Sequence, residues 1–240
     1  MGTVSAPLTI AAPPHGLVVT TASGDVLVTG EPRGDIVFDK GVRHESQVST
    51  DAEGRVTILP KGSSDVEVRC PEDTDVIVGS ASGDVELRGR LGRCRITTAS
   101  GDITVEEVAS LDVRTASGDV DVDRCGGACR AHTASGDVIV GEAGQLDVGT
   151  VSSTVRADEV DGAVRIRTVS GMVSVGASGD GDVSVRSMSG SVTVLLPPHV
   201  RPKLRISSLG GSTRCDCERG DDCVVSVSSA SGSVVVAPGG

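Results

Sequence analysis

The chain has 240 residues and a formal net charge of −11, with 33 acidic side chains against 22 Lys and Arg. It contains no Trp, no Tyr and a single Phe, Phe38. The acidic balance repels phosphate backbones and anionic membrane surfaces, and the missing rings remove the platforms on which single-stranded bases stack.

The opening stretch, residues 1–19, lacks the basic and long apolar regions of a secretory signal. Its Met-Gly start carries Ala6 where a myristoylation signal needs Ser or Thr. No apolar run is long enough to span a bilayer. The cysteines number seven, an odd count that suits a reducing compartment. The expectation is a cytoplasmic protein, with a cell-surface position as the alternative. Strand-like runs follow at 16–30, 34–38, 54–60 and 64–70, separated by turn-rich segments. Residues 1–75 are expected to supply irregular β layers that cover the first edge of the fold. Residues 76–240 are expected to continue it as regular repeats of one domain.

The triplet Ser-Gly-Asp begins at Ser23, Ser82, Ser100, Ser117 and Ser135, with weaker copies at Ser152, Ser170, Ser189, Gly210 and Ser231. From Ser82 the steps are 18, 17, 18, 17, 18, 19, 21 and 21 residues. Counting each Ser as position zero, +3 and +5 are apolar, as in Val120 and Val122 or Val138 and Val140. So are −4 and −6, as in Val148 and Leu146 or Ile166 and Val164. Such alternation is the signature of strands with one face inward. Each repeat therefore reads as two short strands joined at a Ser-Gly-Asp corner, where Gly supplies backbone angles that other residues resist. One repeat cannot bury its own face, so neighbours must stack.

The predicted fold is all-β: a single-chain parallel β-solenoid, or β-helix, with one rung per 17–21 residues. Position −5 reads Arg95, Asp112, Arg130, Asp147, Arg165. Its alternating signs support rungs stacked in sequence order, because opposite charges on neighbouring strands attract and like charges repel. Position −2 is almost always Thr or Ser, inward beside the corner, and is read as structural. The segment 195–202 interrupts the later rungs, and Pro238 ends the last strand.

The stretches "ASGDVELRG", "TASGDITVEEV", "RTASGDVDVD" and "RTVSGMVSV", following "VEVRCPEDTDVIV", resemble a bacterial family of β-strand repeat proteins of unknown function. Members are labelled putative adhesins and are common in actinobacteria. The resemblance spans roughly residues 16–236. It implies a β-solenoid fold and a cell-surface role, and it implies no catalytic residue.

Several clusters invite a chemical reading. Cys125, Cys129 and His132 have a spacing that suggests a metal site, but strand parity places Cys129 inward and His132 outward, so they cannot close on one ion. Cys94 shares the column of Cys129 two rungs away, too far for a disulfide. Buried thiols packing as small apolar groups are the better account. Cys215, Cys217 and Cys223 surround an acidic loop; a disulfide between Cys217 and Cys223 or a soft-metal site is weighed, and the latter lacks a fourth ligand.

Asp84, Asp102, Asp119 and Asp137 occupy +2 on successive rungs and are candidate Ca²⁺ ligands, as in Gly- and Asp-rich β-rolls. Later rungs place Thr154, Met172, Ser191 and Ser233 there, which favours turn capping instead. Acids spread along one column do not make the paired carboxylates of a polysaccharide-active enzyme, so no catalytic residue and no other cofactor is expected. Position −3, with Arg114, His132, Arg167 and Arg186, is a weakly basic stripe where an acidic partner could dock. The expected function is a non-enzymatic, adhesin-like binding or scaffold protein with an unidentified protein partner. Self-assembly through the uncharged final run 224–237 is the alternative.

Overall fold

The computed structural model describes residues 8–10, 16–42, 48–52, 54–60 and 64–239. Most of the opening stretch read for leader and lipidation signals lies outside them. Among the described residues every regular element is a strand, and no helix is long and apolar enough to cross a membrane. The chain divides into two compact units, Met1–Ala116 and Ser117–Gly240.

The first unit holds β1 (Leu8–Ile10), β2 (Gly16–Ser23), β3 (Val26–Glu31), β4 (Ile36–Lys40) and β5 (Val48–Thr50). It continues with β6 (Arg55–Ile58), β7 (Val66–Pro71), β8 (Val76–Ser82), β9 (Val85–Thr97) and β10 (Ile103–Arg114). Strand β2 lies between β6 and β8, and β3 between β7 and β9, all parallel. The layer 55–71 therefore sits outside the layer that precedes it in sequence, which corrects the expectation of strictly sequential stacking. The reason is the detour through β4 and β5, after which the chain returns on the far side. Those strands pair antiparallel, β4 with β7 and β5 with β6, while β1 adds to β4. Phe38, opposite both Val68 and Leu8, is 1% exposed. The single Phe of the chain closes this layer on the side of β7 away from its parallel neighbour β3.

The second unit holds β11 (Val120–Ser135), β12 (Val138–Ser152), β13 (Val155–Val160), β14 (Val164–Ser170), β15 (Val173–Ala177) and β16 (Val183–Ser189). Then come β17 (Val192–Leu196), β18 (Lys203–Gly210), β19 (Thr213–Cys215), β20 (Val224–Ser231) and β21 (Val234–Pro238). The strands leading into the corners pair in parallel as β11, β12, β14, β16, β20, β18. Those leaving pair as β11, β12, β13, β15, β17, β21, β19. The last strands in sequence are thus inserted next to last in space, a second departure from sequential order. The run 224–237, expected to be an exposed edge, is paired on both sides. Its inward residues Val225, Val227, Val234 and Val236 are fully buried, whereas Leu204, Ile206 and Cys215 of the outermost layer are half-buried. The better apolar set takes the interior place. Leu111 and Leu146 are both 2% exposed, as the inward register requires.

The corners explain the repeat. Gly83, Gly101, Gly136, Gly190 and Gly232 have φ between 111° and 129°, a region L side chains avoid. A Cβ on Gly101 would overlap the carbonyl oxygen of Gly83, and one on Gly136 that of Gly118. Two independent constraints therefore demand glycine. The corner at 152–154 shows the exception: Ser153 takes the glycine place without a positive φ, and its hydroxyl is shared with that of Thr150. Ser64 fills the same place under Gly24, so Ser64 and Asp65 belong to a corner that the sequence pattern concealed.

Exposed ion pairs dress the first unit. Arg69 donates Nε and Nη2 to the two oxygens of Asp39, at 2.7 and 2.8 Å. The Arg69 guanidinium holds the Asp39 carboxyl below the usual carboxylate range, against the opposing pull of partial burial. A carboxyl depressed in the folded state adds stability above its unfolded pKa and loses it as pH falls through the folded value. Asp39→Asn is therefore expected to narrow the difference in melting temperature between pH 6 and pH 2, and unchanged acid sensitivity would show the pair to be inert. Gly136→Ala should lower unfolding free energy by about 3 kcal/mol or more, from a strained φ plus the carbonyl overlap. Gly79→Ala, where a Cβ meets only the Thr20 side chain at 3.8 Å, should cost under about 1 kcal/mol in the same denaturation experiment.

Candidate functional site

Each corner is closed by short-range hydrogen bonds from the residue types the repeat keeps. The −2 hydroxyl donates to the carbonyl of the corner residue two positions on: Thr21 to Ser23, Thr98 to Ser100, Thr133 to Ser135 and Thr168 to Ser170, at 2.8–3.1 Å. These hydroxyls are buried, so the bond removes a desolvation penalty as well as fixing the turn.

The +2 aspartates form a ladder between layers. The backbone N–H of Asp84 donates to Asp25 Oδ1 at 3.0 Å, and that of Asp102 to Asp84 Oδ1 at 2.9 Å. In the second unit the N–H of Asp137 donates to Asp119 Oδ1 and that of Thr154 to Asp137 Oδ1, both at 2.8 Å. The side chains remain exposed. Asp84, Asp119 and Asp137 each thus commit an oxygen to the neighbouring turn. Among the described residues no three His, Cys, Asp or Glu side chains converge as a metal site would require.

No disulfide joins any two of the seven cysteines. Cys125 and Cys129 are 1% exposed, while His132 points outward on the same strand, as parity predicts. Burial pushes the Cys70 thiol up to about 11 and raises Cys217 and Cys223, the former also through the neighbouring Cys215 and Asp216. A raised thiol pKa means little thiolate and low reactivity.

The −5 alternation holds in register, with an ion pair within the column in the first unit and Asp147 paired instead to Arg167 in the second. Arg95 Nε lies 3.5 Å from Asp112 in the first unit, and Asp147 stands in register between Arg130 and Arg165 in the second. The −3 column breaks that rule. Arg167 and Arg186 are directly paired positions on β14 and β16, like charges on adjacent strands. Arg167 reaches Asp147 at 3.7 Å, and no ion pair is formed by Arg186 among the described residues.

Beside this basic column runs an apolar one that the repeat analysis passed over. Val151, Val169 and Met188, at position −1, are 51%, 44% and 61% exposed on three successive layers. With Gly149, Arg167, Arg186 and the flanking threonines they line an open hollow of about 460 Å³. The His132 ring lies against Gly149, where an added Cβ would come within 2.6 Å of its Nδ1. The signal was present in the sequence: position −1 is Ala22, Ala81, Ala99, Ala116 and Ala134 before it becomes Val151, Val169 and Met188. Small residues beside a corner hid the later enlargement.

Comparison with known proteins gives a family and three distant folds. A family model described as Toastrack DUF4097 matches residues 15–236. The chain is similar to the crystal structure of a putative adhesin from Bacteroides fragilis, with 12% identity, 96% of this chain and 95% of that one covered, and a TM-score of 0.46. A putative adhesin from Parabacteroides distasonis gives 13% identity, coverage of 97% and 96%, and a TM-score of 0.47. A putative cell adhesion protein from Clostridium sporogenes gives 10%, coverage of 97% and 100%, and 0.24. No curated protein matches the chain.

The carboxylate ladder makes a direct prediction. Asp119→Ala should lower unfolding free energy by about 1 kcal/mol, and Asp119→Asn, which keeps an acceptor oxygen, by roughly half of that. Chemical denaturation of both variants measures the difference. Equal losses would show that the carboxylate's charge, rather than its acceptor, matters.

Proposed function

Because the chain belongs to the Toastrack DUF4097 family, a solenoid-like fold, we propose that it is a non-enzymatic protein whose strand faces serve as a binding or scaffolding surface. The finer architecture in this reading is a parallel β-helix with a Ser-Gly-Asp corner per rung, which the parallel registers and stacked glycines support. The observation that carries the functional reading is the filled interior. The inward residues Val120, Val122, Val138, Val140, Val155, Ala157, Val173 and Val175 are at most 2% exposed, and aliphatic packing occupies the space a cofactor would need. The acids of the +2 column are dispersed and bonded to backbone N–H groups, where general acid–base chemistry calls for two that converge with separated pKa values.

The proposed partner is a protein, in keeping with the acidic charge and the scarcity of aromatic rings. The proposed location is the cytoplasm, supported by five buried thiols packed as apolar side chains. Calcium has no part in this reading: millimolar Ca²⁺ should leave the melting temperature unchanged, and a rise of several degrees would restore the aspartate column as a cation site.

Self-association is a second reading, favoured by one observation. Strands β18 and β19 pair on one side only among the described residues, and they leave Leu204, Ile206 and Cys215 around an open hollow of about 620 Å³. Sedimentation across a hundredfold concentration range tests it; a strict monomer throughout removes it.

The main proposal is tested by photo-crosslinking from Arg88, Ile139, Arg156, Val169 and Met188, five exposed positions, in cells of the native source. Crosslinks to a discrete protein from at least one face are expected. Turnover of an ester, phosphate or glycan substrate that disappears in Asp102→Asn or Asp119→Asn would overturn the non-enzymatic reading.

A further inference from the structure

The two columns on the β12, β14 and β16 face belong together. Position −1 offers Val151, Val169 and Met188, and position −3 offers Arg167 and Arg186, two residues away on the same face of each strand. Exposed apolar side chains gathered over adjacent layers differ from the scattered ones of an ordinary surface. Their cationic flank is just as unusual here. In a chain of net charge −11, and beside a column whose signs alternate, two guanidinium groups face each other across neighbouring strands. Like charges so placed repel, and Asp147, reached only by Arg167 at 3.7 Å, answers one of the two. A carboxylate from outside would relieve that repulsion.

Spacing narrows the form of the ligand. Neighbouring strands lie about 4.8 Å apart, so the apolar column repeats at that interval along the stack. A helix presents side chains one turn apart at about 5.4 Å, and an extended chain presents same-face residues at about 6.7 Å. Across three layers the mismatch is about 1 Å for a helix and about 4 Å for a strand. We propose that this face docks an amphipathic acidic helix of a partner protein. Its apolar stripe lies along Val151, Val169 and Met188, and its flanking carboxylates pair with Arg167 and Arg186. Among the described residues this chain contains no helix, so none of those residues supplies the occupant from a second copy. The inference rests on the binding-surface reading above and adds to it the site and the partner's chemistry.

The test uses the full chain and a fluorescein-labelled helical peptide with Leu at i, i+3, i+7 and Glu on both flanks. A matched peptide with Lys in place of Glu is the control. Anisotropy should detect binding of the acidic peptide alone, weakened by raised salt. Arg186→Glu and Arg167→Glu should each weaken it at least tenfold, as should Val169→Asp, while Arg88→Glu in the first unit should not. These positions are exposed, so melting temperatures should stay within a few degrees of the parent and exclude unfolding as the cause. Equal affinity for both peptides, or no loss in the arginine variants, overturns the proposal. So does a shift of the binding to anionic phosphatidylglycerol vesicles, or a Val169→Asp variant that changes the oligomeric state. Crosslinks confined to Ile139 and Arg156 would sink this site while leaving a scaffold role intact; their absence everywhere would sink both.

Discussion

Stacking in this protein hangs on the contact between one corner and the next. Corner glycines such as Gly101, Gly136 and Gly190 turn with a positive φ, and the space a Cβ would fill is taken by the carbonyl of the corner beside it. The close approach keeps the layers in register, because a slip of one residue would put a side chain where none fits and turn the inward face outward. From that register follow the aligned valine columns, the threonine hydroxyls bonded to corner carbonyls, and the carboxylates that receive the next layer's N–H groups. A core without tryptophan or tyrosine is feasible under this constraint, since each layer adds a few small β-branched residues to a stack already aligned.

A stack of this kind solves its interior and leaves its outermost layers as the problem. The two units answer differently. In the first, antiparallel strands and the ring of Phe38 close over the layer 55–71. In the second, the layer with the poorest apolar complement, 203–215, is set outermost and its inward side chains stay half-buried. Lys203, Arg205 and Arg214 on these strands are the kind of charge that blunts an edge against indiscriminate pairing.

Much of this was legible from the letters. The 17–18-residue period, the inward valines and the inward Cys129 against outward His132 all follow from parity and repeat alignment. Spatial order was not legible. Parity says which way Val225 points, but nothing in a repeat states which neighbour it meets, and interchanging two layers leaves every column facing the same way. The corner at Ser64 and Asp65 escaped because Ser64 replaces the diagnostic glycine. The apolar column at −1 was visible as a change from Ala134 to Val151, Val169 and Met188, yet a motif search rewards identity and overlooks a graded increase in size.

The inserted placement of β20 and β21 bears on how the second unit comes into being. Among the described residues β18 pairs with β20 and β19 with β21, so the segment 203–215 has no ladder to join until residues 224–238 exist. On the ribosome, layers up to β17 can assemble as they emerge, whereas the penultimate segment must wait outside the tunnel. Growth of the unit can therefore follow the chain as far as β17, after which residues 224–238 must be seated on β16 and β17 before the segment 203–215 has a ladder to join.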